Sequence, residues 1–571
     1  MSLDFHRNWL PHNLVINTWD DLKPYYETLK NEELSSIAAF QDFLLKTSEL
    51  ESFVSENYAW RYIKMTCNTI DHELEKNYLY FVNEIQPHIA PYEDKINQKI
   101  SSASFANELS KNDKSYFIYL RGIEKSIALF KEINIPIQSK IQTLAQQYGT
   151  ISGNMTVEMD GAEVTLQKAS IKLQDPNRSV RENAYNIIAK RRLIDEAKLN
   201  TLFNKLIVLR NKIAKNCGFE NFRDYKFESL GRFDYNVQDC LNFHKAIQEV
   251  VVPLQAELLQ ERKLKLSLEK LKPFDLSVDI DNKPALKPFT TGEELLDKTI
   301  LCFNKIDPYF GECLSIMKEE NLVDLESRIG KAPGGYNYPL AERGKPFIFM
   351  NATSSLRDLE TMVHEGGHAI HSFLSHPLKL NGFKNCPSEV AELASMSMEL
   401  ISMDGWDVFF ANEDDLIRAK ISQLEGVIST LPWIATVDAF QHWIYTSLPH
   451  TDEERSEAWH KFFDKFSSNL VDYTGYEMYQ KNSWQKQLHL YEVPFYYIEY
   501  GFAQLGAIAI WKKYKENKQE GIDGYKNFMK LGYTKSIPEI YEAAGIKFDF
   551  SAEYVKSLFD FLQTELDALK K

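Results

Sequence analysis

Thr361–Ser372 reads TMVHEGGHAIHS and contains His364-Glu365-Gly366-Gly367-His368. On a helix, residues four apart lie one turn above each other on the same face. Two imidazoles so placed can hold one side of a Zn²⁺. The glutamate between them can take the proton of a water that the metal activates. A helix is expected here: Ser354 and Ser355 are cap candidates, and Asp358 follows Ser355 by three. Leu356, Leu359, Val363 and Ile370 recur on an apolar face. Each glycine costs about 1 kcal/mol against alanine in a helix interior, so a purely structural helix would be better without them.

A catalytic zinc takes three protein ligands and keeps one position open. Downstream, Pro387–Leu400 (PSEVAELASMSMEL) reads as a second helix with Pro near its start. Glu389, Glu392, Met396 and Glu399 fall on one face of it at spacings of three and four. His371 competes as third ligand but stands seven residues from His364, roughly 10 Å of helix rise. Donor atoms on one zinc lie only about 3–3.5 Å apart. The x-x-G-x-x-H continuation of a third histidine is also missing, with His371 and Leu374 in its places. Glu392 is therefore the expected third ligand of a single zinc ion. Glu389 and Glu399 are expected to receive imidazole N–H groups, and His371 to stand behind the ligands or toward a substrate.

Two further stretches carry chemistry. His489–Tyr500 contains one histidine and four tyrosines, and Tyr497 and Tyr500 share a helical face. Phenols and an imidazole are donors suited to an oxyanion, so His489, Tyr497 and Tyr500 are candidates, with Tyr496 beside the substrate. Gly330–Pro339 is a Gly/Tyr-rich loop with Gly334, Gly335 and Tyr336, followed by a strand from Pro346 to Asn351 that includes Phe349. An extended peptide can pair with such a strand, and glycines let backbone approach backbone. No G-K-[ST] closes the loop, so it is not a phosphate loop.

The elements that position these groups read as helical. Segments through residue 150 show apolar residues at helical spacing. Met155–Leu166 is two alternating runs about Asp160-Gly161, a hairpin signal, and Asp175-Pro176 opens another helical run to Cys217-Gly218. The division expected is an N-terminal helical lobe over 1–200, with the hairpin near 153–167, and a catalytic lobe over 201–571. The net charge of −15 and the absence of a Lys/Arg stripe argue against nucleic acid. No secretory h-region opens the chain, and no apolar run is long enough to span a bilayer. The six scattered cysteines form no C-x-x-C and read as free thiols of a cytoplasmic protein.

HEGGHAIH, then EVAELASMSME about 24 residues on, then HLYEVPFYYIEY, together resemble the oligoendopeptidase F branch of the thimet oligopeptidase family of zinc metallopeptidases. The hairpin MTVEMDGAEVTL with LQDPNRSVRENA is similar to that branch too, so the likeness runs over roughly residues 115 to 560. It implies a mainly α, two-lobed fold with a deep central channel, a few short strands flanking the cleft, and cleavage of short peptides. It implies zinc on His364, His368 and Glu392, Glu365 as base and acid, and oxyanion contacts from His489 and Tyr500. His489 and Tyr500 stand a residue closer than in the thimet branch, with Pro494 in place of its Gly-rich turn, which leaves the division of labour among the tyrosines open. A zinc carboxypeptidase on a similar scaffold and a non-catalytic peptide binder are the rival readings. The oligomeric state has no signature in the sequence.

Overall fold

The computed structural model describes residues 7–571; the first six, part of the stretch read for a leader, lie outside the described residues. The fold is mainly helical around two large hydrophobic cores, with a small third cluster of Met65, Tyr78 and Val82. The smaller core joins Leu22, Phe40, Phe43, Ile89 and Ile96 of the N-terminal helices to Leu380 and Phe383, which arrive from far along the chain. Helix α1 (Ile37–Cys67), capped by Ser36, serves both cores. Phe40 and Phe53 enter the first; Ala59 and Ile63 enter the second, which surrounds the zinc-motif helix.

The hairpin forms as the Asp-Gly pair predicts. Strands β1 (Thr156–Met159) and β2 (Ala162–Thr165) pair antiparallel, and Asp160 and Gly161 both take positive φ, 53° and 78°. The run that follows is not one helix. Asp195 interrupts it, leaving α2 (Arg178–Ile194) and α3 (Glu196–Asn216).

The stretch before the zinc motif holds more strand than its composition suggests. Strands β3 (Val323–Glu326), β4 (Tyr336–Leu340) and β5 (Lys345–Ala352) form a sheet in the order β3-β5-β4, with β3 parallel and β4 antiparallel to β5. The last four residues of the expected Gly/Tyr loop, Tyr336–Pro339, are thus strand. Its start is fixed by Lys331, whose buried ammonium donates to the carbonyls of Asp324, Glu326 and Met350. Strand β5 was expected to accept a peptide, but both of its edges are filled by β3 and β4; the edge strand on this side is β4. Phe349 was expected at the substrate. It is instead fully buried, with Tyr336 stacked on it at 4.6 Å.

Strand β5 turns through Thr353–Ser355 into the motif helix. Two further helices matter to the site: α5 (Gly292–Ile306) and, after the motif, α7 (Ser388–Ile401). The motif helix itself is α6 (Leu356–Ser375). A cavity of about 1190 Å³ lies between the cores, lined by Glu51 and Glu93 on one side and by Glu389, Glu492 and Pro494 on the other. Among the described residues no helix is long and apolar enough to cross a membrane.

Candidate active site

Helix α6 starts where its capping box dictates. Ser355 Oγ accepts from the Asp358 amide, and Asp358 Oδ2 accepts from the Ser355 and Thr353 amides, both at 2.8 Å. The two glycines then have a use. A Cβ on Gly367 would meet Ala394 O and Ser395 Cα of α7, each at 2.7 Å; one on Gly366 would meet Phe303 of α5 at 2.6 Å. Losing both side chains lets α7 and α5 press directly on the motif helix. That approach brings Glu392 under the two histidines.

His364 Nε2 stands 3.2 Å and His368 Nε2 3.4 Å from Glu392 Oε2. Donors about 2 Å from one tetrahedral zinc lie about 3.3 Å apart. The donor set fits that ion, and among the described residues no fourth His, Cys, Asp or Glu joins the group. Burial alone would raise the Glu392 carboxyl, but the facing imidazoles hold it well below the usual range. Its oxygens are further engaged: Ser395 Oγ donates to Oε2 at 2.9 Å and Tyr496 OH to Oε1 at 2.6 Å. Tyr496, expected beside a substrate, therefore turns its hydroxyl to this carboxylate.

The acids on the α7 face diverge. Glu399 Oε1 lies 2.7 Å from His364 Nδ1, while its other oxygen accepts from Gln423 Nε2 at 2.9 Å. A carboxylate behind the ring puts a proton on Nδ1 and leaves Nε2 free to ligate. Glu389 does not reach either histidine. It is buried near Glu499, and burial with that neighbouring charge pushes its carboxyl up to about 8. His371 turns away as well: its ring packs on Phe528, Nδ1 is 4.0 Å from Cys386 Sγ, and burial pushes it down to about 3.

Glu365 is 5 % exposed, and its Oε2 has no hydrogen-bond partner. Burial raises this carboxyl, while the neighbouring imidazoles of His364 and His368 lower it. Gly335 comes close by: a Cβ there would lie 3.6 Å from Glu365 Oε1 and 3.4 Å from Phe349 O. Gly334 precedes it at φ 97°, with its carbonyl accepting from Asn351 Nδ2 at 2.8 Å.

The tyrosine-rich stretch is divided between two helices. Helix α9 (Leu488–Glu492) ends before Pro494, and α10 (Tyr497–Glu516) starts after it. At the break Phe495 takes φ 68°, a strained value for a bulky residue. Its amide donates to Gln441 Oε1 at 2.6 Å, and its carbonyl accepts from Arg232. The break folds His489 back over α10, with Nε2 3.1 Å from Tyr500 OH.

Two residues the sequence did not single out decide how that contact is polarised. Trp433 Nε1 donates to Gln487 Oε1 at 3.3 Å and to Tyr497 OH at 3.0 Å. An indole is only a donor, so it fixes the amide with Gln487 Nε2 toward His489 Nδ1, 2.7 Å away. Burial pushes His489 down to about 4, so the ring is neutral. Its proton therefore sits on Nε2 and is given to Tyr500, whose own hydrogen remains available. Gln487 is two residues from His489 and was open to sequence inspection; Trp433 lies on another helix and left no local signal.

The model of peptidase family M3 matches residues 171–559, well over half of the chain, and that of the peptidase M3 N-terminal domain matches residues 13–130. The chain is 24% identical to an oligoendopeptidase F homolog of Borreliella burgdorferi, over 92% of this chain and 94% of that protein. It is 25% identical to oligopeptidase PepF of Bacillus subtilis, over 70% of this chain and 58% of that one. Among solved structures, PZ peptidase A with an inhibitor superposes with a TM-score of 0.92 at 24% identity, over 98% of this chain and 99% of that chain. Oligoendopeptidase-F from Enterococcus faecium does so at 0.64 and 16% identity, over 97% of each. Those likenesses establish the shared helical architecture; the family match goes further, and by it the chain belongs to peptidase family M3.

Proposed function

We propose that this chain is a zinc-dependent endopeptidase that hydrolyses internal bonds of short peptides, with one ion held by His364, His368 and Glu392. Bound there, zinc supplies Lewis acidity toward a water and the scissile carbonyl. Glu365 takes the proton of the attacking water as the C–O bond forms, then delivers it to the amine as the C–N bond breaks. Tyr500 donates its free hydrogen to the oxyanion, kept free because His489 donates to the phenol. Tyr497, tied to Trp433, flanks that donor. An extended substrate runs along the β4 edge past Gly334, Gly335 and Tyr336. The division near residue 200 into an N-terminal lobe and a catalytic lobe, and a cytoplasmic setting for the six free thiols, belong to the same reading.

The observation that carries it is Glu365: a buried carboxylate with an unpaired oxygen, set between two imidazoles that share one acidic partner. A mere metal holder has no use for that group. The oligoendopeptidase names of the relatives support short peptides as the substrate class. One feature favours the carboxypeptidase reading: the Lys486 ammonium stands 4.6 Å over the Trp433 ring with no ion pair among the described residues, and could hold a terminal carboxylate. An internally quenched peptide blocked at both ends separates the two. Cleavage that a chelator abolishes and zinc restores is expected. Cleavage only of peptides with a free C-terminus would overturn the endopeptidase reading.

A further inference from the structure

Away from the active site, a second pair of helices repeats the four-residue spacing. Helix α4 (Val237–Ala246) carries Cys240 and His244 on one face, and α8 (Glu413–Thr446) carries Asp438 and His442. The two faces meet. Cys240 Sγ, a carboxylate oxygen of Asp438 and a ring nitrogen of His442 all lie within 4.8 Å of one another. His244 Nε2 is 2.8 Å from Asp438 Oδ2, and His442 Nε2 is 3.2 Å from the same oxygen. Cys240 and Asp438 are fully buried; His244 and His442 are 3% and 7% exposed.

The group is incomplete as a set of hydrogen bonds. Asp438 Oδ1 and His442 Nδ1 have no hydrogen-bond partner, and His442 Nε2, though 3.2 Å from Asp438 Oδ2, is not aligned for a hydrogen bond. The walls are aromatic: Phe227 and Phe495 face the His442 ring at 5.8 and 5.5 Å, and Phe466 faces His244 at 6.0 Å. No lysine or arginine pairs with Asp438 among the described residues. Arg232, whose charge reaches Cys240, is committed to Glu499 at 2.9 Å. A carboxylate in so dry a place needs a compensating cation.

We infer that Cys240, Asp438 and His442 form a second metal site, for zinc or another thiophilic divalent cation, with His244 holding the carboxylate. Sulfur, imidazole and carboxylate donors together select such ions. On binding, the Cys240 thiol gives its proton to solvent as the metal–sulfur bond forms. The cation joins α4 to α8, the helix that also carries Gln423, Trp433 and Gln441, each of which braces a part of the active site. The site is structural, since its donors are all buried from solvent.

The inference stands apart from the peptidase reading and is tested on the full chain, stripped with a chelator and titrated with cobalt(II) chloride. The histidines and glutamate of the active site include no sulfur, so a near-ultraviolet thiolate-to-cobalt band cannot come from them. Wild type is expected to take up two equivalents and to show that band. His364→Ala with His368→Ala should bind one equivalent and keep the band, and Cys240→Ser should lose it. A saturated wild-type protein without the band overturns the inference, whatever the count. So does a band that survives in Cys240→Ser or, should that variant not fold, one unchanged in His442→Asn.

Discussion

Tyr496 OH lies 2.6 Å from Glu392 Oε1, while the other oxygen of that carboxylate faces both histidines. The tyrosine thus aims the carboxylate. Outer partners of this kind contribute about 10–100-fold to metal affinity. Tyr496→Phe is expected to weaken zinc binding by that factor in a chelator competition, with kcat largely restored at saturating zinc. A variant with unchanged affinity and a raised KM would return Tyr496 to the substrate.

Glu365→Gln keeps the shape of the side chain and removes the base. Metal content by elemental analysis should equal wild type, while turnover of the blocked peptide should fall by about 10³-fold or more. Near-normal turnover would discard Glu365 as the proton carrier.

The polarity of the His489–Tyr500 contact gives a paired test. Tyr500→Phe should lower kcat about 10²–10³-fold, roughly 3–4 kcal/mol, with KM little changed. Gln487→Glu replaces a donor to His489 Nδ1 by an acceptor, which moves the imidazole proton to Nδ1 and turns the Tyr500 hydrogen inward. It should cost kcat nearly as much, with ¹⁵N shifts of the ring showing the exchanged tautomer. An exchanged tautomer with full kcat would remove this chain of hydrogen bonds from the mechanism.

Gly367→Ala opposes two effects. Helix propensity gains about 1 kcal/mol. The new methyl, however, meets main-chain atoms of α7 at 2.7 Å, and overpacking of that kind costs roughly 1–3 kcal/mol. The expected outcome is a lower Tm together with lost zinc, because α7 must retreat and take Glu392 with it. A stabilised variant with full zinc would show that the close approach is dispensable.

Acid should loosen the sheet at β3. Burial alone would raise the Asp324 carboxyl, but the Arg328 guanidinium and the Lys331 ammonium hold it at about 2, against 3.8 ordinarily. A depressed carboxyl contributes stability that is fully present above pH 3.8 and lost as the pH falls through about 2. The amount is on the order of 1–2 kcal/mol after solvent screening. Urea unfolding between those pH values should show a shallower slope in Asp324→Asn than in wild type.

Local patterns were the legible part of this chain. The capping box, the Asp-Gly hairpin, the motif helix and the α7 helix are each specified within a dozen residues, and all four form as spacing predicts. What spacing could not supply was direction across elements. Glu389 and Glu399 share a face with Glu392, yet only Glu399 reaches His364; Glu389, at the start of α7, lies beside Glu499 instead. Tyr336 and its neighbours carry β-formers behind two glycines and a proline, so composition suggested a loop where pairing with β5 imposes a strand. The break at Phe495 depends on Gln441 and Arg232, which are remote in sequence.

The glycine pair also governs when the protein becomes able to act. A helix with two adjacent glycines at its middle has little tendency to persist alone. Helix α6 therefore waits for α5 and α7, and the histidines acquire their acidic partner only once residues some thirty positions apart have docked. A chain still emerging or partly unfolded cannot assemble the hydrolytic group, so its neighbours are safe from it until maturation is complete.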